Sequence, residues 1–85
     1  MPDIEVYTTP VCSYCRSAKS LLRRKGVAFL EINVAGDSTR RAEMTARANG
    51  RTTVPQIFIN NAHVGGCDEL YALDEAGELD RLLAT

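Results

Sequence analysis

The sequence lacks an excess of charge of either sign. Ten Lys and Arg residues stand against eleven Asp and Glu, giving a formal net charge of −1 at pH 7. A nucleic-acid binder needs a basic footprint, so that class of function is excluded, and nothing favours attachment to acidic membrane surfaces. Long apolar runs are also missing: no stretch approaches the length of a membrane span. Met1-Pro2-Asp3 leads straight into a strand-like segment, with no apolar run after a basic start, so no secretory signal is expected. Cysteines are few and odd in number, three in 85 residues. A secreted disulfide framework normally shows a larger, even set. The expectation is a cytoplasmic protein with thiols mostly reduced at rest. Repeats, low-complexity tracts and linkers are absent as well. Residues 1–85 are therefore expected to form one domain around one core, since a second core could not be built from this length.

What is present is ordinary for a globular chain: 45% hydrophobic and 25% charged residues. Charge is uneven along it. Arg16, Lys19, Arg23, Arg24 and Lys25 form an early basic cluster, while Asp68, Glu69, Asp74, Glu75, Glu78 and Asp80 make the last stretch acidic. Both read mainly as solvated helix faces.

Ile4 to Thr8 alternates and favours a strand. After Thr9-Pro10-Val11, Arg16 to Lys25 is rich in helix formers, with Ala18, Leu21 and Leu22 on one face and Gly26 as a stop. Val27 to Val34 offers a second strand, parallel to the first across the helical crossover. Asp37 or Ser38 can cap a second helix running to about Asn49-Gly50, with a weak stripe of Ala42, Met44, Ala46 and Ala48. Val54-Pro55 opens the apolar strand Gln56-Ile57-Phe58-Ile59. Asn60-Asn61 turns it into a short returning strand, Ala62-His63-Val64, on which His63 is expected to be exposed. Asp68 can cap a final helical region that buries Leu70, Leu73, Leu79, Leu82 and Leu83, with Gly77 dividing it. The order β-α-β-α-β-β-α predicts an α/β fold of thioredoxin type, a mixed four-stranded sheet flanked by helices.

Cys12 and Cys15 then fall at a strand-to-helix junction, three residues apart, close enough for a disulfide. A helix N-terminus carries unpaired N–H groups and partial positive charge, both of which favour a thiolate. Cys12, at the tip, is expected to be the low-pKa nucleophile, with Arg16 and Lys19 nearby; Cys15, one turn in, is placed to resolve a mixed disulfide. A zinc site could be counted from Cys12, Cys15, Cys67 and His63, but the last two lack paired spacing.

Cys12-Ser13-Tyr14-Cys15, Thr53-Val54-Pro55 and Gly65-Gly66-Cys67-Asp68 stand in the order and spacing of one family. Through them the whole chain resembles the glutaredoxins, nearest to the short bacterial dithiol type. Thioredoxin proper fits less well: its tryptophan-flanked Cys-Gly-Pro-Cys is missing and the chain has no Trp. The resemblance implies a glutathione-dependent oxidoreductase acting on protein–glutathione mixed disulfides and protein disulfides. Cys12 and Cys15 would be catalytic, and a second glutathione would regenerate the enzyme. It further implies a cis Val54–Pro55 bond beside the cysteines. Val54 would pair with glutathione as an added strand, and Gly65 and Gly66 would admit the ligand. The N–H groups of Cys67 and Asp68 would take the γ-glutamyl carboxylate, and the Asp68 carboxylate the ammonium, with Tyr14 and Thr53 flanking the groove. Cys67 would contribute a backbone contact rather than catalysis.

Two departures qualify the match. Many relatives carry Lys shortly before the first cysteine, to bind the glycyl carboxylate. Thr9-Pro10 occupies that stretch here, leaving Arg40 or Arg41 to supply the charge. Ser13 stands where the commonest dithiol motif has proline, and some relatives with Cys-Ser-Tyr-Cys hold a [2Fe-2S] cluster between two subunits. The resemblance therefore implies a monomer with glutathione as co-substrate or, alternatively, a cluster-bound homodimer acting as an iron–sulfur carrier or sensor.

Overall fold

The computed structural model describes residues 2–84. Its elements follow the expected order: β1 (Ile4–Thr8), α1 (Ser13–Arg24), β2 (Leu30–Asn33), α2 (Ser38–Arg47), β3 (Gln56–Ile59), β4 (Ala62–Gly65), α3 (Cys67–Glu75) and α4 (Glu78–Leu83). The sheet order is β2-β1-β3-β4, with β1 parallel to β2 and antiparallel to β3, and β4 antiparallel to β3. The fold is thioredoxin-like, a four-stranded mixed sheet between helices.

Alternation along the two central strands explains the layering. Ile4 and Val6 of β1 and Ile57 and Ile59 of β3 share one face. There they pack against Ala18, Leu21 and Leu22 of α1, Leu70 of α3 and Leu79 of α4. Tyr7 and Phe58 point to the opposite face and join Val34, Met44 and Ala48 under α2. With helices on both faces, β3 is buried at every position, including its polar first residue, Gln56.

Several local expectations are corrected by packing. The second strand is shorter than residues 27–34, because Val27 and Phe29 fold against the α1-side core before pairing with β1 begins. β2 is the sheet edge, and Leu30 stays 60% exposed there. On α2 only Met44 reaches the core, joined by Ala48 just past its end, and Ala42 and Ala46 face outward. In the last two helices Leu70 and Leu79 are buried, Leu73 and Leu83 are half-buried, and Leu82 is 37% exposed. Gly77, at φ +75°, separates these helices as expected. Asp68 is not the cap of α3. Gly66 is, and its N–H is taken by Glu69 Oε1 at 2.7 Å. That bond is the reaching-back half of a capping box, and a glycine cap supplies no partner half. His63 is not exposed: its ring is half-buried beside Phe58, with Nε2 2.7 Å from Gln56 Oε1.

Candidate functional site: a cysteine at a helix tip beside a groove

Strand β1 ends, the chain turns through Thr9-Pro10-Val11, and α1 begins with Cys12 as its N-cap. A cap residue must accept an orphan N–H of the first turn. Here the acceptor is sulfur, Cys12 Sγ receiving the Cys15 N–H at 3.1 Å. On its other side the same sulfur is 3.9 Å from the Val54 carbonyl oxygen. Cys12 is half-exposed, whereas Cys15 is 1% exposed, and all three cysteines are free thiols. Burial, and then the hydrogen bond its thiol gives Cys12, push the Cys15 pKa up to about 12. Cys15 is therefore a thiol at neutral pH. Lys19 is engaged elsewhere, bridging at 2.9 Å to Glu31, which also accepts from the Thr8 hydroxyl.

Next to Cys12 lies an open groove lined by Tyr14, Arg51, Thr53, Val54, Pro55, Gly66, Cys67, Asp68 and Glu69. One wall is the loop carrying the cis Val54–Pro55 bond; the other is the start of α3. Tyr14, on the exposed first turn of α1, stands at the mouth. The N–H groups of Cys67 and Asp68 are in the first turn of α3, where the helix itself provides no acceptors. The Cys67 thiol is buried, and burial followed by the Asp68 charge raises its pKa. Space here is tight: a Cβ on Gly66 would sit 3.3 Å from the Pro55 carbonyl. One on Gly65, at φ +122°, would meet Glu69 Oε1 at 2.6 Å.

Seven of the residues read from the sequence as glutathione contacts thus share one groove. Arg41 does not line it. Its guanidinium donates to the Thr52 carbonyl at 3.2 Å, just outside the wall, and Arg40 turns away to Asn33 and Asp37. Two lining residues escaped the sequence reading, Arg51 and Glu69. They pair at 2.7 Å, and Glu69 is held below the usual carboxylate range by the Gly66 N–H and by Arg51. The spacing of Glu69 three residues after the cap position was the available signal.

Comparison with known proteins agrees with this geometry. The family model described as Glutaredoxin matches residues 4–64, most of the chain. The chain belongs to the glutaredoxin family. Glutaredoxin 3 of Escherichia coli (strain K12) is 55% identical over 83 residues, covering 98% of this chain and 99% of that protein. A glutaredoxin of Pseudomonas aeruginosa is 57% identical over 84 residues, covering 99% of each. Among solved structures, the glutaredoxin of Brucella melitensis superposes with a TM-score of 0.83 at 56% identity, over 95% of this chain and 87% of that one. A buckwheat glutaredoxin–glutathione complex superposes with a TM-score of 0.86 at 29% identity, over 98% and 77%. This glutaredoxin is a glutathione-dependent thiol–disulfide oxidoreductase.

Other groupings of its sulfurs are less apt. His63 faces Gln56 rather than the cysteines, and among the described residues no group of three or more His, Cys, Asp or Glu side chains is placed to hold a metal ion. For a [2Fe-2S] cluster one chain presents a single accessible sulfur, Cys12. The other ligands would have to come from a second copy and from glutathione. Among the described residues no helix is long and apolar enough to cross a membrane.

Proposed function

We propose that the groove binds glutathione and that Cys12 is the nucleophile which strips it from protein thiols. The observation that carries this reading is the position of Cys12 Sγ. It sits between the α1 N-terminus and the carbonyl of Val54, a residue that itself lines a cleft whose far wall is a second helix N-terminus. The Val54 backbone pairs with the cysteinyl unit of glutathione as an added strand. The N–H groups of Cys67 and Asp68 take the γ-glutamyl carboxylate, and the exposed Asp68 carboxylate takes the ammonium. Tyr14 and Thr53 bound the cleft, Pro55 and Gly66 keep it narrow, and Arg41 is the guanidinium at its rim for the glycyl carboxylate.

In the cycle, the Cys12 thiolate attacks the glutathione sulfur of a mixed disulfide. The protein sulfur leaves as a thiolate and takes a proton from water, while Cys12 holds the glutathionyl group. A second glutathione, as thiolate, attacks that glutathione sulfur; glutathione disulfide departs and the Cys12 thiolate returns. With a protein disulfide, the Cys12 thiolate attacks one target sulfur and the other leaves as a thiolate. Cys15 then loses its proton and attacks Cys12 Sγ, expelling the target sulfur bound there, and two glutathiones reduce the internal bridge. The setting is a cytoplasm with reduced thiols, and the working form is a monomer.

Turnover of a glutathionylated peptide and of a protein disulfide by two variants tests this. Cys12→Ser is expected to abolish both reactions, and Cys15→Ser to keep the first and lose the second. Activity surviving without Cys12 would refute the assignment. A glutathione-ligated cluster in a homodimer would instead announce itself as visible absorption of the anaerobically purified protein.

A further inference from the structure

The groove wall at Thr53 is held from behind by a chain of hydrogen bonds that the reaction does not consume. Gln56, at the start of β3, is 0% exposed, one of two buried polar side chains among the described residues. A buried amide left unpaired is costly. Its Nε2 donates to the Thr53 carbonyl at 3.0 Å and reaches Thr53 Oγ1 at 3.3 Å. A carbonyl only accepts, so the amide nitrogen must face Thr53 and Oε1 must face away. What Oε1 meets is His63 Nε2 at 2.7 Å, which must therefore carry a proton. His63 Nδ1 is left as an acceptor, 3.5 Å from Asn49 Nδ2 just beyond α2. The imidazole is kept in this plane by the Phe58 ring, whose centroid lies 5.1 Å away. Burial also holds the His63 pKa low, which favours the neutral ring.

We propose that Gln56 and His63 are positioning residues for the enzyme: the chain Asn49–His63–Gln56 fixes the Thr53 carbonyl and, through it, the angle at which the Val54 backbone meets glutathione. The inference rests on the glutathione reading of the groove. Residues 51–55 lie in no helix or strand, so no regular hydrogen-bond ladder orders them. A loop that must present its backbone as a strand edge loses affinity if it has to be ordered on each encounter. Neither side chain lines the groove; both act through Thr53.

The test uses His63→Phe, which keeps a ring against Phe58 without the N–H, and Gln56→Met, which keeps length and volume without donor or acceptor. Two rates are measured on each: turnover of a glutathionylated peptide, and alkylation of Cys12 by iodoacetamide. The expected result is a KM for the peptide raised about tenfold, the effect of one lost hydrogen bond, with kcat and the alkylation rate within about twofold of the parent. An unchanged KM would overturn the inference, as would alkylation falling together with turnover, because damage would then extend to the nucleophile. Should either variant not fold, the nitrogen-15 shifts of the His63 ring in the parent protein still decide. An Nε2–H neutral tautomer supports the chain, and an Nδ1–H tautomer overturns it. A parent protein that ignored the glutathionylated peptide would instead bring down the groove reading itself.

Discussion

Cys12 and Cys15 differ by one turn of helix, yet the turn separates two kinds of sulfur. Cys12 is half-exposed and accepts an N–H; Cys15 is buried and donates. With the Cys15 pKa raised to about 12, iodoacetamide at pH 7–8 is expected to label Cys12 first and leave Cys15 and Cys67 unmodified while the fold persists. Peptide mapping by mass spectrometry checks this; early labelling of Cys15 would contradict its burial. The place of Cys12 at the tip of α1 was legible in the sequence because periodicity gives the start of the helix. Arg51 was not, and Glu69 was legible only as a capping partner of Gly66, because their pairing joins segments eighteen residues apart that no local pattern links. Arg41, just outside the groove wall, is placed by the same kind of contact. The start of α2 was read correctly, but the direction in which its guanidinium points depends on where Thr52 lies.

At the scale of elements, punctuation carried most of the reading. Asp37 caps α2, its Oδ1 receiving the Arg40 N–H at 3.0 Å, and the Asn60-Asn61 turn takes the left-handed backbone at both residues, φ 52° and 67°. Asp37→Ala is expected to cost about 1 kcal/mol, seen as a drop of roughly 4–8 °C in thermal midpoint, with turnover at 25 °C unaffected. Burial within elements was read less well. Alanine carries too little apolar surface to say which way a helix faces, so Ala42 and Ala46 were wrongly placed inward. The extent of β2 was overestimated because an apolar run pairs as a strand or packs as a loop with equal ease. Only the β1 register distinguishes Leu30 from Phe29.

Across the whole molecule, two cores on opposite faces of one sheet support the groove beside Cys12. Leu22 has no exposed surface, and truncating it leaves a hole that neighbours on α1, β1 and β3 cannot fill. Leu22→Ala is expected to cost about 2–5 kcal/mol and lower the midpoint by about 10 °C or more. Leu30→Ala, at the exposed edge, should stay within about 0.5 kcal/mol. Thermal melts of the two compare core with rim directly.

Stability should also depend on acidity, with a sign fixed by two groups. His63 has a folded pKa below its ordinary 6.5, so the unfolded chain takes the proton first and the fold weakens as pH drops below that value. Glu69 is depressed below 4.5 by the Gly66 N–H and Arg51, so its stabilisation is present above 4.5 and is lost as pH falls through its folded pKa. Melts across pH should be shallower in the first window for His63→Phe and in the second for Glu69→Gln, where Glu31, depressed by Lys19 and Thr8, keeps part of the slope.

The depth of the second sulfur has a kinetic reach. Once Cys12 holds a glutathionyl group, its partner must shed a proton in a dry place before it can close the internal bridge, so ring closure carries a built-in delay. A free glutathione sheds its proton in water, at an ordinary thiol pKa, and meets a lower barrier. The burial of one atom is thereby expected to lengthen the life of the intermediate, so that single-thiol traffic prevails when glutathione is plentiful.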